Sequence, residues 1–173
     1  MIDKKFSFAA LIAIVFLFCS MQSEAQFKWA MVGVNGLTCS ACSRTVEMAI
    51  RKLPFVKKVQ MNLDNTEGKI IFADNANVDI EKIAEAVTNA GFSVRYLNAD
   101  FLFNNVSVST GYCFNNGNYT LQFISTASKT LNGESQIKFI GPEFLAKDEF
   151  KKYKTLLTNS CTESKGKVYF VTL

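Results

Sequence analysis

Histidine is absent from the whole chain. The commonest general base and the commonest metal ligand are therefore missing together. Hydrolytic triads, imidazole-based zinc catalysis and imidazole proton shuttles are excluded in their usual forms. Only thiolates, carboxylates, lysines and hydroxyls remain for chemistry, and the expectation is a protein that is not an enzyme. No basic run reaches five residues and the net charge is only +4, so nucleic-acid binding has no footprint. Nor is there an apolar run long enough to cross a bilayer comfortably.

The strongest apolar run, Phe6 to Phe18, opens the chain behind Lys4 and Lys5 and is followed by Ser23-Glu24-Ala25. A short basic start, an apolar core of this length and small residues at the two positions a signal peptidase reads predict a signal peptide over residues 1–25. Phe18 before Cys19 is too large for a lipoprotein signal. The mature protein is then expected to be exported, periplasmic or secreted, with no membrane span. Its surplus charge divides evenly, +2 for residues 26–98 and +2 for residues 99–173.

What the chain does have is Gly36-Leu37-Thr38-Cys39-Ser40-Ala41-Cys42, set between a strand-like segment, Phe27 to Val34, and an amphipathic stretch. From Cys42 the apolar positions Val46, Ala49, Ile50 and Leu53 trace one helical face, which Pro54 stops. Two thiols therefore lie on the turn that opens a helix, where unpaired N–H groups and the helix dipole favour thiolate. Thiolates are soft ligands that suit Cu(I) and Zn(II). Strands at Val56 to Leu63 and Lys69 to Phe72 follow around the turn residues Asp64 to Gly68. Asp79 reads as the N-cap of a second helix with the face Ile80, Ile83, Ala84, Val87 and Ala90, closed by Gly91. Phe92 to Leu97 is the last strand, giving β-α-β-β-α-β over residues 26–98.

Residues Lys28 to Leu97 resemble the heavy-metal-associated domain, the module of copper chaperones, copper-ATPase N-terminal domains and the periplasmic mercury-binding protein. The motif Gly-Met-Thr-Cys-x-x-Cys is matched at Gly36, Thr38, Cys39 and Cys42, with Leu37 in place of Met, and Gly91-Phe92 matches a Gly-aromatic pair. The resemblance implies a ferredoxin-like sandwich and a metal loop in which Leu37 packs beneath the site instead of ligating. It also implies a partner that donates or accepts metal, a membrane metal transporter among the candidates.

Two sulfur ligands suit Cu(I), which accepts two nearly linear thiolates. Zn(II) wants four ligands and would borrow from solvent or a partner, and Hg(II) is a further soft candidate. Leu37, Val34 and Phe92 are expected to limit water around the sulfurs, and Thr38 to support the loop. The rival is a thiol–disulfide oxidoreductase. Such proteins usually carry Trp before the first Cys and a Pro facing the pair, whereas Thr38 stands there and the prolines are Pro54 and Pro142.

The remainder has another texture. Asn98-Ala99-Asp100 reads as a linker into a small, mostly antiparallel α+β domain at 99–173 of no recognised family, with a partly open barrel as one form it could take. Its strands are expected at Phe101 to Ser109, Tyr119 to Ser125, Gln136 to Ile140 and Lys167 to Leu173, with a helix at Ala146 to Leu157. Cys113 and Cys161 are its only cysteines, and an isolated pair in an exported protein is expected to form a disulfide. This half could also be the partner-binding end, through the Lys147, Lys151, Lys152 and Lys154 face, with the first domain only sensing metal.

Overall fold

The computed structural model describes residues 27–162 and 166–173; the expected signal peptide lies outside them. The first six elements are β1 (Phe27–Asn35), α1 (Ser40–Arg51), β2 (Val56–Asn62), β3 (Glu67–Phe72), α2 (Ile80–Asn89) and β4 (Ser93–Val108). Then come β5 (Cys113–Asn115), β6 (Tyr119–Phe123), β7 (Lys129–Ile140), α3 (Lys147–Tyr153) with a 3₁₀ turn (Lys154–Leu156), and β8 (Lys167–Thr172). No helix among the described residues is long and apolar enough to cross a membrane.

Local chemistry explains the βαββαβ half. Asp79 caps α2 by accepting the Glu81 N–H at 3.1 Å, and Gly91, at φ +88°, takes the left-handed turn that ends it. Val46 and Ile50 of α1 and Ile80, Ile83 and Val87 of α2 are buried against one face of the sheet. Ala30, Val32 and Val34 of β1 and Ile70 and Phe72 of β3 point to the same core; Trp29, Met31, Lys69 and Ile71 alternate with them half-exposed, while Gly33 is buried under the Tyr96 ring.

The expected linker is not there. Asn98-Ala99-Asp100 lies inside β4, a strand of 16 residues. Leu97, Ala99 and Phe101 are fully buried while Asn98 and Asp100 face the other side of the sheet, so the period-two pattern runs straight through the polar triplet. Asp100 is itself buried there; that burial and the adjacent Glu134 carboxyl push its carboxyl up from the usual range. One eight-stranded sheet results, ordered β2-β3-β1-β4-β7-β8-β6-β5, in which β6 and β8 run parallel and every other pair antiparallel.

The second half of the sheet is rolled. Opposite Gly133, β4 breaks register between Phe103 and Val106, with Asn105 in the left-handed region at φ 51°. The roll carries Phe114 of the edge strand β5 to within 5.7 Å of Phe101 and 5.5 Å of Phe103, ring centre to ring centre. The hydrogen-bonded order nevertheless ends at β5, so the roll stays open. β7 is longer than expected because Lys129 to Ser135 pair with the tail of β4, and the three-residue β5 was not expected at all. The helix expected to Leu157 gives way to the 3₁₀ turn after Tyr153, and Phe150, Tyr153 and Leu157 pack on Ile124, Ile140 and Leu145.

Both halves share one apolar core. Phe27, on β1, meets Phe72 and Phe101 edge-on, stacks on Tyr119 at 5.3 Å and lies 6.0 Å from Phe139. Polar contacts add to this seam: Lys167 of β8 pairs with Asp79 and Glu81 at the start of α2, and Asn118 donates to Asn77 at 3.3 Å. The Phe27→Ala variant is therefore expected to lose about 3–5 kcal/mol. Chemical denaturation followed by probes in either half should show one shifted transition; two separate transitions would contradict the shared core.

Candidate metal centre

The metal loop follows directly from how β1 ends and α1 begins. Gly36 turns the chain at φ +88°, and a side chain there would meet the Phe92 ring at 3.6 Å. Leu37 then drops into the core, 4% exposed, which anchors the loop from beneath. Cys39 is the N-cap of α1: its backbone is extended, and its Sγ accepts the Cys42 N–H at 3.2 Å. A thiol thus stands where Ser, Thr or Asp usually caps a helix, because thiolate sulfur can likewise accept the orphan N–H groups of a first turn.

Cys39 is exposed, Cys42 is half-buried and packs on the core, and neither is bonded to another cysteine. The Cys42 thiol, the Cys42 backbone N–H and the Ala41 backbone N–H together hold the Cys39 thiol below its ordinary value. No acidic residue occupies the first turn of α1 to oppose a thiolate. Among the described residues no group of three or more Cys, Asp or Glu converges as a metal cage. Cys39 and Cys42 are thus two adjacent soft donors at an open helix terminus, the residues that could hold a soft ion.

The other expected loop residues divide. Phe92 is half-buried over Gly36, and Val34 is fully buried below it. Thr38 is exposed and makes no side-chain hydrogen bond among the described residues, so it does not brace the loop that way. A brace the sequence did not reveal sits behind it. The Val34 N–H donates to the Thr66 carbonyl at 2.9 Å, and Arg95 donates to the Asn65 carbonyl at 2.8 Å. Tyr96 donates to Glu67 at 2.5 Å, and its ring fills the space above Gly33. The first contact joins the β2–β3 turn to β1, and the other two join that turn and the start of β3 to β4 across 30 and 29 positions of sequence, so no local pattern announces them. Cys113 and Cys161 are brought together in the other half, Cα to Cα 5.9 Å, with their sulfurs in contact.

Residues 32–93 match the sequence model of the heavy-metal-associated domain. That segment of the chain is a heavy-metal-associated domain. Over 63 residues it is 41% identical to a probable copper-transporting ATPase of Arabidopsis thaliana, covering 36% of this chain and 6% of that protein. It is 38% identical over 61 residues to the periplasmic component of a mercuric transport protein of Serratia marcescens, covering 35% of this chain and 66% of that one. A zinc/cadmium/lead-transporting P-type ATPase of Shigella sonnei (strain Ss046) is 40% identical over 74 residues, 42% of this chain and 9% of that enzyme. The chain thus spans a small fraction of the transporting ATPases and just under two thirds of the mercuric protein. These relatives are named for the transport of copper, of mercuric ion and of zinc, cadmium or lead.

The thiol electrostatics can be tested directly. Removing the Cys42 side chain takes away the largest influence on Cys39 but leaves the backbone N–H groups in place. In metal-free, reduced Cys42→Ala protein the Cys39 alkylation profile should move to higher pH, yet stay below that of an unstructured cysteine. The thiolate fraction near neutral pH falls accordingly. A profile unchanged by the substitution would show that the backbone alone sets the acidity.

Proposed function

We propose that Cys39 and Cys42 bind one soft metal ion, foremost Cu(I), and that the protein hands it to a partner without chemical turnover. The observation that carries this reading is the open two-sulfur site at the N-terminus of α1, with Cys39 acidified by local hydrogen bonds. An ion held by two thiolates leaves room for a third, so an incoming thiolate can bind before the first bonds break. Leu37 beneath the loop and Phe92 beside it limit water around the sulfurs. The partner in this reading is a protein that donates or accepts metal, a membrane metal transporter being one such acceptor.

We further propose that the protein acts outside the cytoplasm, with residues 1–25 removed, and that Cys113 and Cys161 are then joined as a disulfide. The sequence of the first 25 residues and the 5.9 Å Cα separation support this pairing. Closing a loop of 48 positions stabilises by about 4 kcal/mol in the chain-entropy model. The bridge would tie the short edge strand β5 to the segment before β8, where Gln122 also donates to the Thr158 carbonyl at 2.8 Å and to Ser160 at 2.9 Å.

Two measurements test these readings. Either Cys39→Ala or Cys42→Ala should abolish stoichiometric Cu(I) uptake against a competing chelator while leaving the fold intact, and Cys113→Ala should retain it. Uptake of one equivalent by the double Cys39/Cys42 variant would overturn the metal reading. Separately, thiol counting on unfolded, unreduced exported protein should label at most Cys39 and Cys42, and label on Cys113 or Cys161 would refute the bridge.

A further inference from the structure

We propose that Asn35 is a site of spontaneous deamidation, a chemical clock set at the root of the loop that carries Cys39 and Cys42. No bound metal is needed, so the site stands apart from the metal-transfer reading. Three Asn-Gly pairs occur in the chain, at residues 35–36, 116–117 and 132–133. Glycine after asparagine has no Cβ to obstruct ring closure, so each pair is a candidate by sequence. Reaction further requires a free glycine N–H and an asparagine side chain able to swing onto that nitrogen. The fold allows this at one pair and opposes it at the other two.

Asn116 is half-buried. Its side-chain amide donates to the Tyr119 hydroxyl at 2.8 Å, and the Gly117 N–H donates to Asn115 Oδ1 at 2.8 Å, so both reacting groups are occupied. Asn132 and Gly133 lie inside β7, with Gly133 in register with Phe103 of β4, and the swing would have to break that ladder. Asn35 is held far less firmly. It is exposed and stands opposite Ser93 on the last rung of the β1–β4 ladder, where a strand end opens most readily. Gly36 lies beyond the ladder at φ +88°, and among the described residues its N–H makes no backbone hydrogen bond. A 3.3 Å bond to the exposed Ser93 hydroxyl is what holds the Asn35 amide.

In the reaction the Gly36 nitrogen loses its proton and attacks Asn35 Cγ. The side-chain nitrogen leaves as ammonia, and a cyclic imide closes. Water then opens the ring at either carbonyl. Opening at Cγ gives aspartate, whereas opening at the main-chain carbonyl gives isoaspartate, whose backbone runs through Cβ and is one atom longer. One water is consumed, one ammonia is released and nothing is oxidised or reduced. Either product places a carboxylate just before the turn that seats Leu37 and brings Cys39 to the cap of α1. A negative charge there disfavours a thiolate, and the longer backbone displaces the turn.

The test incubates reduced, metal-free, full-length protein at mildly alkaline pH and maps aspartate and isoaspartate by peptide mass spectrometry. In urea, which removes the protection of the fold, the three pairs should react at similar rates. In the folded protein Asn35 should lead Asn116 and Asn132 by about fivefold or more, since releasing one hydrogen bond before ring closure costs about 1 kcal/mol. Ser93→Ala, which frees the Asn35 amide, should speed the reaction, and Asn35→Gln should silence that position. Equal rates at the three pairs in the folded protein, or an Asn35 slower than either of the others, would overturn the proposal. Modified chains, separated by their added negative charge, should alkylate Cys39 only at higher pH than fresh ones. An unchanged alkylation profile would overturn the link between this clock and the loop. Cu(I) uptake by fresh protein decides the metal reading independently of all these rates.

Discussion

Strand β4 is hydrogen-bonded along both edges through its middle. Between Asn98 and Phe101 it pairs with β1 on one side and with β7 on the other. The strand that would form one edge of the βαββαβ unit is thereby made internal, and the first and second halves of the chain become one sheet. Everything else in the architecture answers to that fusion. The aromatic side chains of β1, β4, β6 and β7 gather around Phe27, and the start of α2 is tied to β8 by Lys167. Burying Asp100 next to Glu134 is the local cost of continuing the strand through a polar triplet. The burial of Ala99, Phe101 and Phe103 on the other face of β4 outweighs it.

The fusion also decides which end of the molecule is free. β4 leaves the βαββαβ unit at the pole opposite the metal loop, so the added strands pack against Phe27, Asn77 and Asp79. The added helix α3 returns toward Tyr96, and the Ala146 N–H bonds the Arg95 carbonyl, which stiffens β4 just beyond the turn that places Phe92. Cys39 and Cys42 are left on an exposed helix start with no competing acidic side chain in its first turn. The proposed site thus combines a packed base with an accessible sulfur that local hydrogen bonds make more acidic.

The geometry of the loop that carries Cys39 and Cys42 was legible in the sequence almost residue by residue, because its determinants are local. Cys39 and Cys42 are three positions apart on one helix turn, Leu37 is buried beneath them, and Asp79 and Gly91 bound α2 as their residue types require. The helix faces were also readable, since a 3.6-residue period needs no distant partner to be recognised. The linker reading failed for an instructive reason. Asn, Ala and Asp favour turns by composition, yet Leu97, Ala99 and Phe101 keep strict alternation through them, and alternation was the better guide.

Alone, then, the sequence determined the two thiols, the helix they open, the order of the first six elements and the family to which residues 32–93 belong. Tertiary structure decided that β4 runs on as one strand of 16 residues, that β6 and β8 pair in parallel, and that the sheet rolls until Phe114 meets Phe101. It also decided that Arg95, Tyr96 and Glu67 brace the loop from behind. The division has a physical basis. Capping, periodicity and metal ligation act over one or two turns of chain, whereas strand pairing and the meeting of aromatic rings join residues tens of positions apart. Their partners are chosen only when the whole core closes.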